Sequence, residues 1–279
     1  MLRIARLPIL LALPLLCLAS RARAQDVVHY VRYQVDGGAV SYGVLRGETV
    51  LRVRGDVFGE HAVTEDATPL SRVRLLAPVA PSKVIAVGLN YRSHLGSRPQ
   101  PPEPGLFAKY PTSIVGPGDS IVAPPDAKNL HYEGELVVVI GKRAKNVSVE
   151  DAPSYVFGVT AGNDVSERDW QASDLQWFRA KASDTFGPIG PAVVKGLNYG
   201  DLLLETRLNG EVRQSERTKD LLYDVPAIVS YVSRFVTLEP GDVIFTGTPQ
   251  STRAMSPGDV VEVEVEGVGV LRNVVVRGR

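Results

Sequence analysis

Short apolar runs rich in Val and Ile, each halted by glycine or proline, recur along this chain, a pattern that predicts strands more often than helices. Residues Val27 to Arg54 alternate apolar and polar positions around Gly37-Gly38, Gly43 and Gly47, which reads as short strands joined by tight turns. Further strands are expected over Lys83 to Gly88, Ile121 to Ala123, Leu136 to Ile140 and Gly241 to Phe245. From Asp259 onward, Val261, Val263 and Val265 alternate with Glu262, Glu264 and Glu266, as in a strand with one solvated face. Asn209-Gly210 between two alternating segments is a strong hairpin signal. The stretch Asp56 to Val79 shows no period that assigns it.

Three segments read differently. Ser148 followed by Glu150 and Asp151 resembles a helix start, with Val156 and Phe157 turned inward and an end at Gly158. A second helix is expected from Ser166 to Trp177, with Arg168 and Gln171 one turn apart and facing one site. A third carries Leu221, Leu222, Val225, Ile228, Val229, Val232 and Phe235 at helical spacing from a cap at Thr218, with Pro226 as a kink or restart. The segment Asp184 to Pro191 is rich enough in Gly and Pro to predict loop. No fixed repeat runs through the chain, which argues against a solenoid or propeller.

The chemistry centres on Glu133-Gly134-Glu135, which runs directly into the apolar strand. Residues two apart on a strand share a face, so both carboxylates emerge side by side. Their repulsion calls for a raised pKa, a basic partner, or a divalent cation held by hard oxygen ligands. Gly134 leaves space between them for a ligand or another backbone. Asp164, just past another β-branched segment, is a third candidate ligand. His94 follows the strand ending at Gly88 and is a candidate acid or base. Lys181, beside the Gly/Pro-rich segment, can serve as a charged donor to a developing oxyanion.

Composition narrows the partners. At 44% hydrophobic and 22% charged residues over 279 positions, the chain is globular. Residues 1–24 combine basic Arg3 and Arg6, an apolar block from Leu7 to Ala19 and the small-x-small pattern Ala22-Arg23-Ala24, an expected cleavable export signal to the periplasm or outside. The apolar block is too short for a membrane anchor of about 20 residues. Removing it takes away the only cysteine, Cys17, and leaves 27 basic against 31 acidic residues. No basic stripe for nucleic acid remains, and no span for a membrane. A small amino-terminal β-module over residues 25–80 and a catalytic domain over 81–279 are expected, with prolines marking the junction.

The ordered set Gly88-Leu89-Asn90-Tyr91-Arg92-Ser93-His94, Phe107-Ala108-Lys109, Tyr132-Glu133-Gly134-Glu135-Leu136, Gly162-Asn163-Asp164-Val165, Asp184-Thr185-Phe186, Pro188-Ile189-Gly190-Pro191 and Gly241 to Pro249 resembles the fumarylacetoacetate hydrolase family. The resemblance implies an α+β, mainly β fold, a mixed β-sandwich roll with a small amino-terminal β-module, assembled as a homodimer. It implies a divalent cation, magnesium first with manganese or calcium as alternatives, on Glu133, Glu135 and Asp164. It further implies that Lys181 and Gln171 hold substrate oxygens, Thr248 binds a substrate carboxylate, Arg168 supports the site and His94 moves a proton. The expected activity is carbon–carbon hydrolysis of acylpyruvate-like diketo acids through a metal-stabilised enolate. Oxo-acid isomerisation, tautomerisation or decarboxylation on the same site, and an exported carboxylate-binding protein without turnover, are the alternatives. One departure bears on this choice: hydrolytic members pair the histidine with a Glu three positions on, where this chain has Ser97. Glu103 is the candidate substitute.

Overall fold

The structure is a computed structural model describing residues 26–279; the expected export signal lies outside the described residues. Strands dominate, in two main sheets. The larger runs, in spatial order, through His61–Pro69, Thr49–Gly55, Ser41–Arg46, Val28–Val35, Gly187–Lys195, Val156–Asn163, Gly134–Ile140, Val243–Phe245, Val84–Gly88 and Gly105–Lys109. The smaller holds Glu211–Arg217, Leu203–Leu208, Val260–Val265, Gly269–Arg277 and Ser120–Ala123. The amino-terminal strands therefore continue the large sheet, with Val28 to Tyr30 paired to Lys195 to Val193. The previously unassigned stretch supplies His61–Pro69 and Val73–Leu75.

The strand Gly134–Ile140 is buried along its whole length, as its unbroken Val/Ile content requires. Its even-numbered residues Leu136, Val138 and Ile140 join a core with Leu204 and Val263 of the smaller sheet and with Ile228, Val229 and Val232 of a helix. Its odd-numbered residues Val137 and Val139 join a second core with Val84, Phe157, Val243 and Phe245. A strand wedged between two cores has no freedom to slip register. The carboxylates at its amino end are located accordingly.

Four expectations need correction. Ser148 does cap a turn, its Oγ accepting from the Asp151 N–H at 3.1 Å, but only the 3-10 turn Ala152–Tyr155 follows and Val156–Asn163 is a strand. Pro153 and the β-branched Val156, Val159 and Thr160 favour extension once a neighbouring strand supplies the ladder. The helix expected over Ser166 to Trp177 is split: Ser166–Glu167 pairs with Leu130–His131, helices follow at Arg168–Ser173 and Phe178–Ala182, and Glu167 caps the first through the Trp170 N–H at 2.7 Å. The Gly/Pro-rich segment leads into the strand Gly187–Lys195. Its ladder to Val156–Asn163 shifts register between Val159 and Ala161, opposite Pro191, so the residue without an N–H falls at the irregularity. The long helix begins at Val225 rather than at Thr218, with Asp224 as its cap and Pro226 in its first turn, where proline costs nothing.

Candidate active site

Strand directions bring the site together. Val84–Gly88 runs parallel to Val243–Phe245, which lies antiparallel to Gly134–Ile140, which lies antiparallel to Val156–Asn163. Three strands thus end, and Gly134–Ile140 begins, at one edge of the sheet. That edge delivers Asn90 to His94, Gly247 to Thr252, Glu133 and Glu135, and Asp164 to one place. The segment preceding Gly187–Lys195 adds Lys181. A cavity of about 590 Å³ opens there, lined by His94, Glu133, Glu135, Arg168, Lys181 and Thr248 among others.

Glu133, Glu135 and Asp164 are all buried, and each places a carboxylate oxygen within 4.8 Å of the other two. Lys181 Nζ donates to Glu133 Oε2 at 2.5 Å and to Asp164 Oδ2 at 2.6 Å. Lys109 Nζ donates to Asp164 Oδ1 at 2.6 Å and to the Lys181 carbonyl. Arg168 reaches Glu133 Oε1 at 2.5 Å, Thr252 Oγ1 at 2.9 Å and Gln171 Oε1 at 2.6 Å. Burial alone would raise Glu133, but the Lys181 ammonium and Arg168 guanidinium outweigh it and hold the carboxyl well below the usual range. Glu135 is the opposite case: burial, then the charges of Asp164 and Glu133, push it well above the ordinary carboxylate value. Its hydrogen-bond partner is the Gly247 N–H at 2.7 Å, and no ammonium or guanidinium of the described residues pairs with it. A buried carboxylate without a cation beside two others is stabilised by a hard divalent ion, and an all-oxygen donor set suits magnesium, manganese or calcium better than zinc.

The other residues expected from sequence fall as follows. His94 Nδ1 donates to the Gln250 carbonyl, and because a carbonyl only accepts, the neutral ring leaves its lone pair on Nε2, 3.9 Å from Glu133 Oε1. Gln250 holds a left-handed backbone, φ 54°, and its N–H bonds Ser93 Oγ at 2.9 Å. Gln171 gives its oxygen to Arg168 and lines the cavity, which leaves its amide N–H groups for a ligand. The Thr248 hydroxyl donates to the Gly134 carbonyl at 2.9 Å and accepts from Gln214 Nε2 at 2.8 Å, so in this conformation it braces the carboxylate strand. Glu103 is not a substitute for the missing acid: it accepts from the Tyr231 hydroxyl at 2.7 Å and lines a separate hollow with Arg234. Gly134 serves packing rather than ligand access, since a Cβ there would lie 1.9 Å from Thr206 Oγ1.

Sequence reasoning missed the roles of Lys109, Thr252 and His131. His131 bridges Thr252 Oγ1 and Asn129 Oδ1 at 2.8 Å each, and burial followed by the Arg168 charge lowers it to about 4, so it stays neutral. Lys109 had one local signal, a lone lysine closing an otherwise apolar strand end.

The model for the fumarylacetoacetate hydrolase carboxyl-terminal domain matches residues 83–276. The chain belongs to the fumarylacetoacetate hydrolase family. A second model, for the Rv2993c-like amino-terminal domain, matches residues 28–78. Within the family, the chain is 42% identical over 245 residues to the mitochondrial oxaloacetate tautomerase Fahd2a of Rattus norvegicus, covering 83% of this chain and 77% of the relative. Among solved structures, 5-carboxymethyl-2-hydroxymuconate delta-isomerase of Mycobacterium smegmatis superposes with a TM-score of 0.85 at 43% identity, over 90% of this chain and all of that one. Maleylpyruvate hydrolase of Sphingobium, in complex with manganese and pyruvate, superposes with a TM-score of 0.75 at 28% identity over the same shares. Members of this fumarylacetoacetate hydrolase family thus include isomerases, tautomerases and hydrolases.

Proposed function

We propose that this chain is a divalent-metal-dependent enzyme that interconverts the enol and keto forms of small 2-oxo acids, with magnesium as its ion on Glu133, Glu135 and Asp164. The observation that carries this reading is the setting of His94. A carbonyl orients its ring, and among the described residues the one carboxylate near Nε2 is the candidate metal ligand Glu133. Carbon–carbon hydrolysis needs a base free to activate water as well as a group to move the substrate proton. Keto–enol interconversion needs only the second, since one proton leaves oxygen or carbon, one is returned, and no atom is gained or lost.

A bound divalent ion would supply Lewis acidity toward the oxo oxygen. The chain's own residues do the rest. The Gln171 amide and the third N–H of Lys181, left over from its bonds to Glu133 and Asp164, orient the substrate's oxygens. The Nε2 lone pair of His94 accepts and returns the proton. Relatives named as oxaloacetate tautomerase and hydroxymuconate isomerase support this choice, whereas the maleylpyruvate hydrolase neighbour keeps hydrolysis as the competing reading. The deciding experiment follows enol oxaloacetate by ultraviolet absorbance with magnesium and with chelator, beside an acylpyruvate cleavage assay. Accelerated, chelator-sensitive loss of the enol without acylpyruvate cleavage is expected. Cleavage with no effect on the enol would reverse the assignment.

A further inference from the structure

Four side chains on the cavity wall can carry positive charge: His94, Arg98, Arg168 and Lys181. Lys181 is matched by Glu133 and Asp164, Arg168 by Glu133, and His94 lies beside Glu133. Arg98 has no acidic partner among the described residues. Its Nε and Nη2 instead donate to the carbonyls of Leu95 and His94, both at 3.1 Å. The local sequence explains this fold-back. The short helix Arg92–Leu95 ends at Gly96, whose φ of 60° turns the chain, and the arginine two residues on reaches back over the last helical carbonyls. Two bonds to backbone fix the guanidinium beside His94 while leaving Nη1 and the full charge available. The neighbouring residue is Ser97, so no adjacent carboxylate cancels it.

Resting on the reading of the cavity as a 2-oxo-acid site, we infer that Arg98 is a specificity-determining residue that binds a second, distal carboxylate of the substrate, so that the enzyme selects dicarboxylic over monocarboxylic 2-oxo acids. The oxo-carboxylate end meets Lys181, Gln171 and the acidic triad, and the distal carboxylate passes His94 to reach Nη1. An arginine already held by backbone loses little freedom on binding, and its planar donors match a carboxylate.

Calorimetry on the full-length, magnesium-loaded protein tests this with 2-oxoglutarate and pyruvate, which share the 2-oxo-carboxylate end and differ in the distal charge. The wild type should bind 2-oxoglutarate about tenfold or more tightly than pyruvate, the scale of one charge-assisted hydrogen bond. Arg98→Gln should remove that advantage while leaving pyruvate affinity within about twofold, and Arg98→Lys should restore part of it. Equal losses for both ligands would make Arg98 a brace for His94, and no loss for either would make it a solvated helix cap; either result overturns the inference. Enol oxaloacetate turnover measured on the same proteins separates the two readings. Turnover without Arg98-dependent selection sinks only the distal site, whereas selective binding without turnover sinks only the tautomerase.

Discussion

At the scale of single residues, the site is a matter of which charge each buried group answers. Glu133 and Asp164 are each bound by an ammonium, and Glu135 is not. Glu135→Gln keeps the shape and the acceptor for the Gly247 N–H while removing a charge that repels its two neighbours. The variant should therefore be at least as stable as the wild type without metal, yet bind magnesium or manganese about a hundredfold less tightly, as titration calorimetry and thermal melts would show. A loss of metal-free stability would mean that Glu135 has a structural partner instead. Lys109→Met should act in the other direction. It leaves Asp164 with a single cation in a fully buried setting, a change of the kind that costs about 3–5 kcal/mol in denaturant unfolding.

At the scale of elements, close packing of the carboxylate strand on the smaller sheet decides where the triad sits. Gly134 is required because Thr206 Oγ1 occupies the space a side chain would need, and that hydroxyl is itself buried without a hydrogen-bond partner. Gly134→Ala should destabilise by more than about 3 kcal/mol and disturb metal binding. Thr206→Ala should cost little, because it removes an unsatisfied hydroxyl. Combining the two should recover most of the loss, a coupling that equilibrium unfolding of the double-mutant cycle would reveal. Additive losses would show that the strand cannot shift by the few tenths of an ångström that the Cβ retained at position 206, 3.2 Å from the added Cβ, and Val263, at 3.3 Å, demand. The helix Val225–Phe235 offers a simpler case: Asp224 Oδ1 accepts from the Ala227 N–H at 2.9 Å, and Asp224→Ala should cost about 1 kcal/mol without touching metal affinity.

At the scale of the whole molecule, the site is a clasp on distant segments. The bond between His94 and Gln250 spans 156 residues, that between Lys109 and Asp164 spans 55 and that between Lys109 and Lys181 spans 72. An ion held by Glu133, Glu135 and Asp164 binds only when the ends of Gly134–Ile140 and Val156–Asn163 are in place, so binding free energy adds to folding stability. Magnesium at a hundred times its dissociation constant should stabilise the protein by about 2.7 kcal/mol and raise Tm by several degrees. Chelator should reverse the rise, and Asp164→Asn should abolish it. An unchanged Tm across that titration would remove the divalent ion from the picture.

What the amino-acid sequence determined by itself was local. The β-branched run after Glu135, the Asn209-Gly210 turn with its φ values of 55° and 81°, and the alternation of Val261 to Glu266 each encode their strand or turn within a few positions. The acidic pair was legible because it stands where an apolar run begins, and Asp164 and His94 because each stands just past the end of one. The tertiary structure alone decided that Val156–Asn163 and Gly187–Lys195 are strands, since their ladders come from partners far along the chain and outweigh local helix or loop preference. It alone decided that Lys109 neutralises Asp164, that a carbonyl orients His94 and that Arg98 keeps an unmatched charge. Backbone preference is set by neighbours in sequence, whereas the field at a buried charge is set by neighbours in space, and those exist only once the sheet has closed.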